Sequence, residues 1–371
     1  MSKYKICVYA ICKNEENFVD KWMDSMNEAD LIVVTDTGSS DNTIQKLQQR
    51  GAIVYVDEIK PWRFDVARNI SLEHVPEDVD ICVCTDLDEC FVPGWREKLE
   101  DAWRKYTPIH KGPIAKTGRY LYNWSLKPDG TPEIQFNYFK VHERHGFRWK
   151  CPVHEYIQYE GTLPLEKVFI SGMVLNHEPD PAKSRGSYIN LLELAVEEEP
   201  QDERMRYYLG REYQYKGQWD KCIHTLKEYL NLPFASWNDE RCAAMRLIAR
   251  AYFKLKNIRA AYAWYYRAIA EKSDMREPYV EFAQICYELR DWPMTFFLTK
   301  EALKIKEKSA TYVNTGYAWD FTPDDLCSIS AYNMKMKAEA LEHARRALSY
   351  APDNERLRNN VKIIEGAGVS D

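Results

Sequence analysis

The sequence predicts two domains of different fold class, an α/β domain over residues 1–182 and an all-α domain of helical repeats over residues 183–371. In the first part of the chain, short β-rich apolar runs alternate with helical segments, which is typical of a largely parallel sheet covered by helices on both faces. From about Ser187 onward every long segment has helical periodicity. A chain of 371 residues is also too long for one ordinary domain.

The elements of the first domain are predicted in an alternating order. Polar residues end three of the strands, and in an open parallel sheet the carboxyl ends of the strands meet at one edge, where such folds bind their ligands. Beyond about residue 112, aromatic-rich segments broken by Gly and Pro predict antiparallel strands that complete the sheet. The predicted strands span residues 5–11, 31–36, 52–58 and 80–89, and the predicted helices span residues 14–26, 40–51 and 64–74.

The helical half contains an internal repeat. The pattern Tyr213-x3-Gly217-x-Trp219 recurs from Tyr252 and from Cys286, at offsets of 39 and 34 residues, and a weaker fourth copy ends near residue 348. A period of 34 residues is that of tetratricopeptide (TPR) repeats. Because only the first copy keeps the turn glycine, and because the longer gaps require insertions, we expect degenerate TPR-like repeats.

The composition narrows the possible classes of protein. A net charge of −6 without a basic cluster argues against binding to nucleic acid or to an anionic membrane surface. No run approaches the roughly 18 apolar residues that a transmembrane segment needs. Ten scattered cysteines without a Cys-x-x-Cys pair, and an N-terminus without an apolar secretory segment, predict a cytoplasmic protein with reduced thiols.

The acidic run Asp86-Leu87-Asp88-Glu89 at the end of an apolar strand is the sharpest chemical signal. Residues i and i+2 of a strand point the same way, so Asp86 and Asp88 project together beyond the edge of the sheet. Two such carboxylates can bind Mg²⁺ or Mn²⁺ and leave coordination places for substrate phosphates. The alternative is a solvated acidic turn, since acidic residues often end strands.

Three stretches in unbroken order resemble the family 2 glycosyltransferases of the GT-A fold, and more narrowly the branch with C-terminal TPR repeats. That branch includes lipopolysaccharide glucosyltransferases and the peptide S-glycosyltransferases that make glycocins. The stretches are residues 9–58, 62–73 and 80–89, and a looser match runs through VHEYI and VLNHEP. The resemblance implies a Rossmann-like mixed sheet and inverting transfer of a hexose from a UDP-sugar, with a divalent metal, to a peptide, protein or saccharide acceptor.

The resemblance also implies roles for individual residues. Many members of the family have Asp-Asp where this chain has Asp36-Thr37, so a carboxylate contact to the base is less secure here. His177 matches a late histidine that completes the metal site in several GT-A enzymes. The implied donor contacts are Ala10, Ile11, Lys13, Asn14 and Glu15 beside the base, Asp36, Thr37 and Ser39 at the base and ribose, and Asp65, Arg68 and Asn69 along the donor pocket; Asp86 would face ribose and metal, and Asp88 metal and diphosphate.

The proton acceptor is predicted at His154-Glu155, where similar enzymes carry a His-Glu or Glu-Asp pair. A carboxylate beside the sugar's C1 can take a proton from an incoming hydroxyl or thiol, so Glu155 is the candidate base. The competing interpretation is that Glu155 forms a structural salt bridge with Arg144 or Arg148. His154 is assigned to the acceptor side.

We predict that the metal and Arg or Lys side chains bind the phosphates of the donor, because the sequence has neither a P-loop nor a G-x-G-x-x-G motif. For Arg68 the alternative is a solvated helical arginine. Tyr317 and Trp319, in the insertion before the last repeat, are candidates for an acceptor groove. His142 and His145 are expected at the surface or in loops and are assigned no role.

Two other functions compete with the transferase hypothesis. The first domain could be an inactive transferase beside a peptide-binding repeat scaffold, although Asp86, Asp88, Glu155 and His177 are all in place. A nucleotidyltransferase would share the α/β fold and the metal. It should carry a Gly- and Lys/Arg-rich loop after the first strand, and AICKNEEN is not such a loop.

Overall fold

The computed structural model describes residues 4–179 and 188–366. By its internal packing the chain forms two compact units, Met1–Glu199 and Pro200–Asp371. The domain boundary predicted at residues 182/183 lies outside the described residues and stays a prediction. In the described part of the chain, no helix is both long enough and apolar enough to cross a membrane.

The first unit is built on a mixed sheet of eight strands in the order β3-β2-β1-β4-β7-β6-β10-β5. The predicted parallel half is confirmed, since β1 pairs in parallel with both β2 and β4, and β2 with β3. Every residue of β1 is buried, as expected for a strand with parallel neighbours and both faces covered. The elements of this half are β1 (Ile6–Cys12), α1 (Val19–Met26), β2 (Leu31–Asp36), α2 (Thr43–Gln49), β3 (Ile53–Val56), α3 (Phe64–Glu73) and β4 (Ile81–Cys84).

After residue 112 the predicted antiparallel pairing is confirmed for β7 and is wrong for the pair β6 and β10, which is parallel. β7 runs antiparallel to both β4 and β6, whereas β10 pairs in parallel with β6 and antiparallel with β5. A separate ribbon is formed by β8 and β9. The elements are β5 (Glu89–Phe91), α4 (Trp95–Lys105), β6 (Ala115–Leu126), β7 (Pro132–Glu143), β8 (Phe147–Lys150), β9 (Tyr156–Tyr159), β10 (Leu165–His177) and α5 (Tyr188–Glu198).

The surface position expected for His142 is wrong, whereas His145 is exposed as expected. His142 lies on β7 opposite Cys82 of β4, so its side chain enters the interior and is fully buried. Its ring is within hydrogen-bond distance of the Tyr9 hydroxyl, at 2.8 Å. Burial lowers the pKa of His142 to about 4, so the ring is neutral at ordinary pH.

The second unit is a series of helix hairpins, which confirms the predicted repeats. Each of four hairpins turns at a residue with φ near +60°, and only Gly217 is a glycine there; Lys256, Arg290 and Lys335 adopt the same conformation. In each turn the amide of the following residue donates to a carbonyl five residues back, at 2.8–2.9 Å. The helices are α6 (Glu203–Tyr215), α7 (Trp219–Asn231), α8 (Asn238–Lys254), α9 (Ile258–Glu271), α10 (Glu277–Glu288), α11 (Trp292–Lys304), α12 (Thr322–Asn333), α13 (Lys337–Tyr350) and α14 (Glu355–Gly366).

Candidate active site

Two loops that follow β1 and β2 are joined side by side at the carboxyl edge of the sheet. The Asn14 amide donates to Ser39 Oγ at 2.8 Å, and the Ser40 amide donates to Asn14 Oδ1 at 2.7 Å. The Glu15 amide donates to Thr43 Oγ1 at 2.7 Å. The residues assigned to the nucleotide base are therefore brought together and held rigidly, directly beyond the buried Ala10 and Ile11 of β1.

The Asp36 side chain supports this loop from inside. Its Oδ1 accepts the amides of Gly38 and Ser39 at 2.9 and 2.7 Å, its Oδ2 accepts the Ser39 hydroxyl, and the side chain is fully buried. The Thr37 hydroxyl also turns inward and donates to the Cys12 carbonyl at 3.0 Å. A direct contact between the Asp36 carboxylate and a base would require these bonds to open. The contact remains a prediction, and the backbone groups of the loop are better placed than this carboxylate to contact a base.

Arg68 of α3 is the centre of the site, and it is not the solvated arginine of the alternative interpretation. Its side chain is 3% exposed, donates from Nη2 to Asp86 Oδ1 at 2.7 Å and from Nε to Glu155 Oε1 at 2.5 Å. The guanidinium also lies over the Trp149 ring, 5.2 Å from its centroid. One buried cation therefore links the acidic run to the predicted base across 87 residues of sequence.

Lys140 is a second buried cation at the site that the sequence reasoning missed. Its Nζ lies 3.1 Å from Asp86 Oδ2 and 3.5 Å from Glu89 Oε2. Glu89 is held in turn by the Tyr122 hydroxyl at 2.8 Å and by the Asp86 amide at 3.0 Å. The sequence signal that could have identified Lys140 is its position between apolar residues on a predicted strand. A charge at such a position is buried and needs a partner of opposite charge.

The two cations, Arg68 and Lys140, favour the ionised form of Asp86. Burial alone would raise the pKa of this carboxyl, but the charges of Arg68 and Lys140 outweigh it and hold the pKa far below its usual value. Both carboxylate oxygens are engaged by these cations, although the side chain stays 32% exposed on its open side. Asp86 therefore lies in an ion-pair network, and the metal role predicted for it would require one cation to be displaced.

Asp65 and Asn69 serve to position neighbouring elements. The Asp65 carboxylate is paired with Arg63, whose Nη2 lies 2.9 Å from Oδ2. The Asn69 side chain donates to the Trp149 carbonyl at 3.0 Å and accepts the Trp149 amide at 2.9 Å, so it pins β8 to α3. Their predicted contacts with a donor remain untested, and in this structure both polar groups are used within the protein.

Glu155 is paired with Arg68, rather than with the Arg144 or Arg148 of the alternative interpretation. Its side chain is 10% exposed. Arg144 instead donates to the Val75 carbonyl at 3.0 Å. His154 precedes it with a positive φ of 52°, and its ring meets the edge of Tyr188 at a centroid distance of 5.8 Å. The left-handed conformation at His154 turns the chain so that Glu155 enters the charge network.

Asp88 and His177 form a second pair at the same edge. His177 Nε2 lies 3.8 Å from Asp88 Oδ2, and the Glu178 amide donates to the Asp88 carbonyl at 2.7 Å. His177 Nδ1 is 3.2 Å from the Trp124 carbonyl oxygen. Burial lowers the pKa of the His177 imidazole, but the hydrogen bond and the charge of Asp88 outweigh it and raise the pKa above its usual value. The Trp124 ring stacks on His177 at 4.5 Å and is 38% exposed.

The donor set of this pair fits a divalent cation that shares its coordination with a substrate. Asp88 offers an oxygen and His177 an imidazole nitrogen, a combination suited to Mn²⁺ or Mg²⁺. Across residues 4–179 and 188–366, no three His, Cys, Asp or Glu side chains are grouped so that they could hold a metal by themselves. A cation held by Asp88 and His177 would take its remaining ligands from water or from a substrate.

Tyr317 and Trp319 lie in the second unit, where their polar atoms are used within the repeats. The Tyr317 hydroxyl donates to Glu281 Oε1 at 2.8 Å, and Trp319 Nε1 donates to Glu277 Oε1 at 2.9 Å. The guanidinium of Arg276 covers the Trp319 ring at 4.2 Å. Their assignment to an acceptor groove thus gains no support from this geometry.

Arg68→Met is expected to destabilise the first unit by about 3–5 kcal/mol, because it leaves Glu155 and one oxygen of Asp86 without their buried cation. Urea denaturation followed by circular dichroism measures the loss. Arg148→Met, at an exposed position on β8, should change stability by less than about 0.5 kcal/mol. Equal midpoints for the two variants would contradict the central role of Arg68.

Comparison with known proteins gives independent information on the chain. Residues 7–159 match the family model of glycosyl transferase family 2. The chain is 25% identical over 254 residues to the SPbeta prophage-derived glycosyltransferase SunS of Bacillus subtilis and to the glycosyltransferase SunS of Bacillus phage SPbeta. In both cases the match covers 64% of this chain and 54% of the relative, so the chain spans about half the length of these curated relatives.

The solved structures that resemble the chain match about half of it. MamA covers 44% of this chain and 85% of its own, with 17% identity and a TM-score of 0.36. A thermophilic TPR protein of Thermus thermophilus covers 48% of this chain and 90% of its own, with 16% identity and a TM-score of 0.35. Both scores are low, and the repeat architecture rests on the hairpin turns described above.

Proposed function

We propose, from the match of residues 7–159 to glycosyl transferase family 2, that the protein transfers a hexose from a UDP-sugar to a peptide, protein or saccharide acceptor with inversion at the anomeric carbon. The observation that carries the proposal is the convergence of the acidic run, Glu155 and His177 at one edge of the sheet. Arg68 joins Asp86 to Glu155, and Asp88 faces His177. These residues come from four separate segments of the chain.

The donor nucleotide is proposed to bind across the joined loops after β1 and β2. The hydrogen bonds between Asn14, Ser39 and Ser40 make this surface rigid, so little conformational entropy is lost when a nucleotide binds. Asp88 and His177 would hold a divalent cation against the diphosphate. When bound, that cation stabilises the negative charge of the leaving UDP.

Glu155 is proposed as the general base. Its carboxylate takes the proton of the acceptor hydroxyl or thiol, the acceptor atom forms a bond to C1, and the bond from C1 to the diphosphate oxygen breaks with its electron pair leaving on UDP. Attack from the face opposite the leaving group inverts the anomeric centre. Arg68 keeps Glu155 in position through the bond from Nε and leaves the second carboxylate oxygen to receive the proton.

The proposal is tested by screening UDP-hexoses with Mn²⁺ by thermal shift and following slow donor hydrolysis by chromatography. A true donor stabilises the folded state in proportion to its affinity, and release of UDP and free sugar reports the active site without an acceptor. If no UDP-sugar shifts the melting temperature and none is hydrolysed, the transferase proposal fails. The inactive domain with a peptide-binding scaffold would then be the better explanation.

His177→Ala is expected to raise the Mn²⁺ concentration needed for half-maximal UDP binding by at least about 10–100-fold, a loss that mutations around metal sites commonly cause. Calorimetry over a series of Mn²⁺ concentrations measures the shift. His145→Ala, at an exposed site outside the pair, is the matched control. An unchanged Mn²⁺ dependence would exclude His177 from the metal site.

A further inference from the structure

The segment that connects α11 to α12, residues 305–321, lies along one face of the helical repeats. The first helices of successive hairpins contact one another, α6 with α8, α8 with α10 and α10 with α12. Across the described residues, no two successive second helices make contacts of similar extent. The first helices therefore form the inner layer, the side on which solenoids of helical repeats bind their ligands. We call residues 305–321 the inner segment.

Side chains of the inner segment contact three successive first helices. The Tyr312 ring lies 6.1 Å from that of Tyr208 on α6, and its hydroxyl donates to Glu240 on α8. The Tyr317 hydroxyl donates to Glu281 on α10 and accepts from Arg250 of α8, at 2.8 and 3.1 Å. The segment therefore crosses the repeats instead of looping away from them.

The inner face also binds the backbone of the segment. Arg246 Nη1 donates to the Val313 carbonyl at 3.3 Å, and the Thr315 amide donates to Glu277 Oε1 at 3.3 Å. Glu277 accepts the Trp319 indole as well. Side chains that bind main-chain carbonyl and amide groups hold a peptide ligand with little dependence on its sequence, and here the segment that they hold includes the short 3-10 helix Gly316–Ala318. The segment is thus bound in the manner of a peptide ligand.

Burial indicates how tightly the two surfaces fit. In the inner segment Thr311, Val313, Asn314 and Ala318 are buried, and Ala318 packs with Val280 and Ala302 in a small apolar cluster. On the helices, four of the charged residues that hold the segment are each 6% exposed or less. These four are Glu240, Arg246, Glu277 and Glu281.

The covalent connections favour permanent occupancy. The inner segment begins directly after α11 and ends directly before α12, so both of its ends are anchored in the unit that it covers. A tethered ligand has an effective concentration on the order of millimolar or higher, and a free peptide would have to exceed this to compete.

We propose that the inner face of the helical repeats is a peptide-binding surface that the chain fills with its own residues 305–321, and that this occupant is permanent in the folded protein. Under the proposed transferase function, on which this consequence alone rests, the acceptor binds outside that face. Tyr317 and Trp319 are then positioning residues of the repeats. They do not form an acceptor groove.

Hydrogen exchange followed by mass spectrometry tests the proposal on the full chain without any substrate, so its outcome is independent of transferase activity. Amides of residues 311–319 should exchange no more than about tenfold faster than those of α8 and α10, because the segment opens only when the unit unfolds. Exchange more than tenfold faster would show that the segment leaves the face separately, and the proposal would be wrong.

Two further measurements use a variant and a peptide. Tyr317→Phe removes the hydroxyl shared by Glu281 and Arg250 and should speed exchange of residues 311–319 about tenfold, whereas Tyr332→Phe, at an exposed site on α12, should not. A labelled synthetic peptide of residues 305–321 should show no binding to the intact protein below about 1 mM. Micromolar binding, or a Tyr317→Phe variant with unchanged exchange, would overturn permanent occupancy.

Discussion

Asp88→Asn is expected to abolish measurable Mn²⁺-dependent UDP binding and to reduce sugar transfer by at least about 10²–10³-fold, the usual effect of removing one group that stabilises developing charge. Asp88 faces His177 at 3.8 Å, and the amide cannot supply the negative oxygen that a hard divalent cation prefers. Calorimetry with UDP and Mn²⁺ measures binding, and chromatography of the reaction products measures transfer.

The matched control for Asp88 is Asp78→Asn, since Asp78 is 72% exposed and pairs with Lys5 at the surface. Both variants should keep the circular dichroism spectrum of the wild type, because Asp88 lies in the turn between β4 and β5 and asparagine keeps the size of its side chain. If Asp88→Asn binds UDP in Mn²⁺ as tightly as the wild type does, Asp88 is not a ligand of the metal. His177 would then lack the second protein ligand proposed here.

Glu155→Gln is expected to reduce transfer by about 10²–10⁴-fold, the usual contribution of a general base, while UDP binding stays close to that of the wild type. Glutamine keeps the shape of the side chain, and its carbonyl oxygen can still accept the hydrogen bond from Arg68 Nε. What is lost is the site that receives the proton. Steady-state kinetics should therefore show a lower kcat with little change in the KM of the donor.

Glu160→Gln is the control for this second experiment, because Glu160 is exposed on the same stretch of chain and pairs with Lys150. It should retain full activity. A loss of less than about threefold in Glu155→Gln would mean that the base is elsewhere, or that the acceptor arrives already ionised, as a thiol partly can. In that case Glu155 would remain as the structural partner of Arg68.

The two experiments also separate binding from chemistry at one site. Asp88 and Glu155 belong to different polar groups, one with His177 and one with Arg68. Loss of UDP binding is expected only in the first variant, and loss of transfer in both. Loss of binding in both would indicate that Glu155→Gln disturbs Asp86 through Arg68, whose guanidinium touches both carboxylates.

The sequence by itself determined the order of the elements, the parallel half of the sheet and the hairpin repeats. These features depend on local patterns, since apolar runs, turn residues and the period of the repeats are visible within a few dozen residues. It also identified Asp86 and Asp88 as candidates, because polar residues at the ends of strands lie at one edge of a sheet, whereas Glu155 and His177 were implied by the resemblance to family 2 glycosyltransferases.

Only the tertiary structure decided which charges pair. Arg68 meets Glu155 across 87 residues and Lys140 meets Asp86 across 54, and no local period encodes such partners. Likewise, the strand register buried His142, and the carboxylates of α10 bound the polar atoms of Tyr317 and Trp319. The physical reason is common to all three cases: a buried polar group must find a partner, and the partner is whichever group the fold brings within about 3 Å of it.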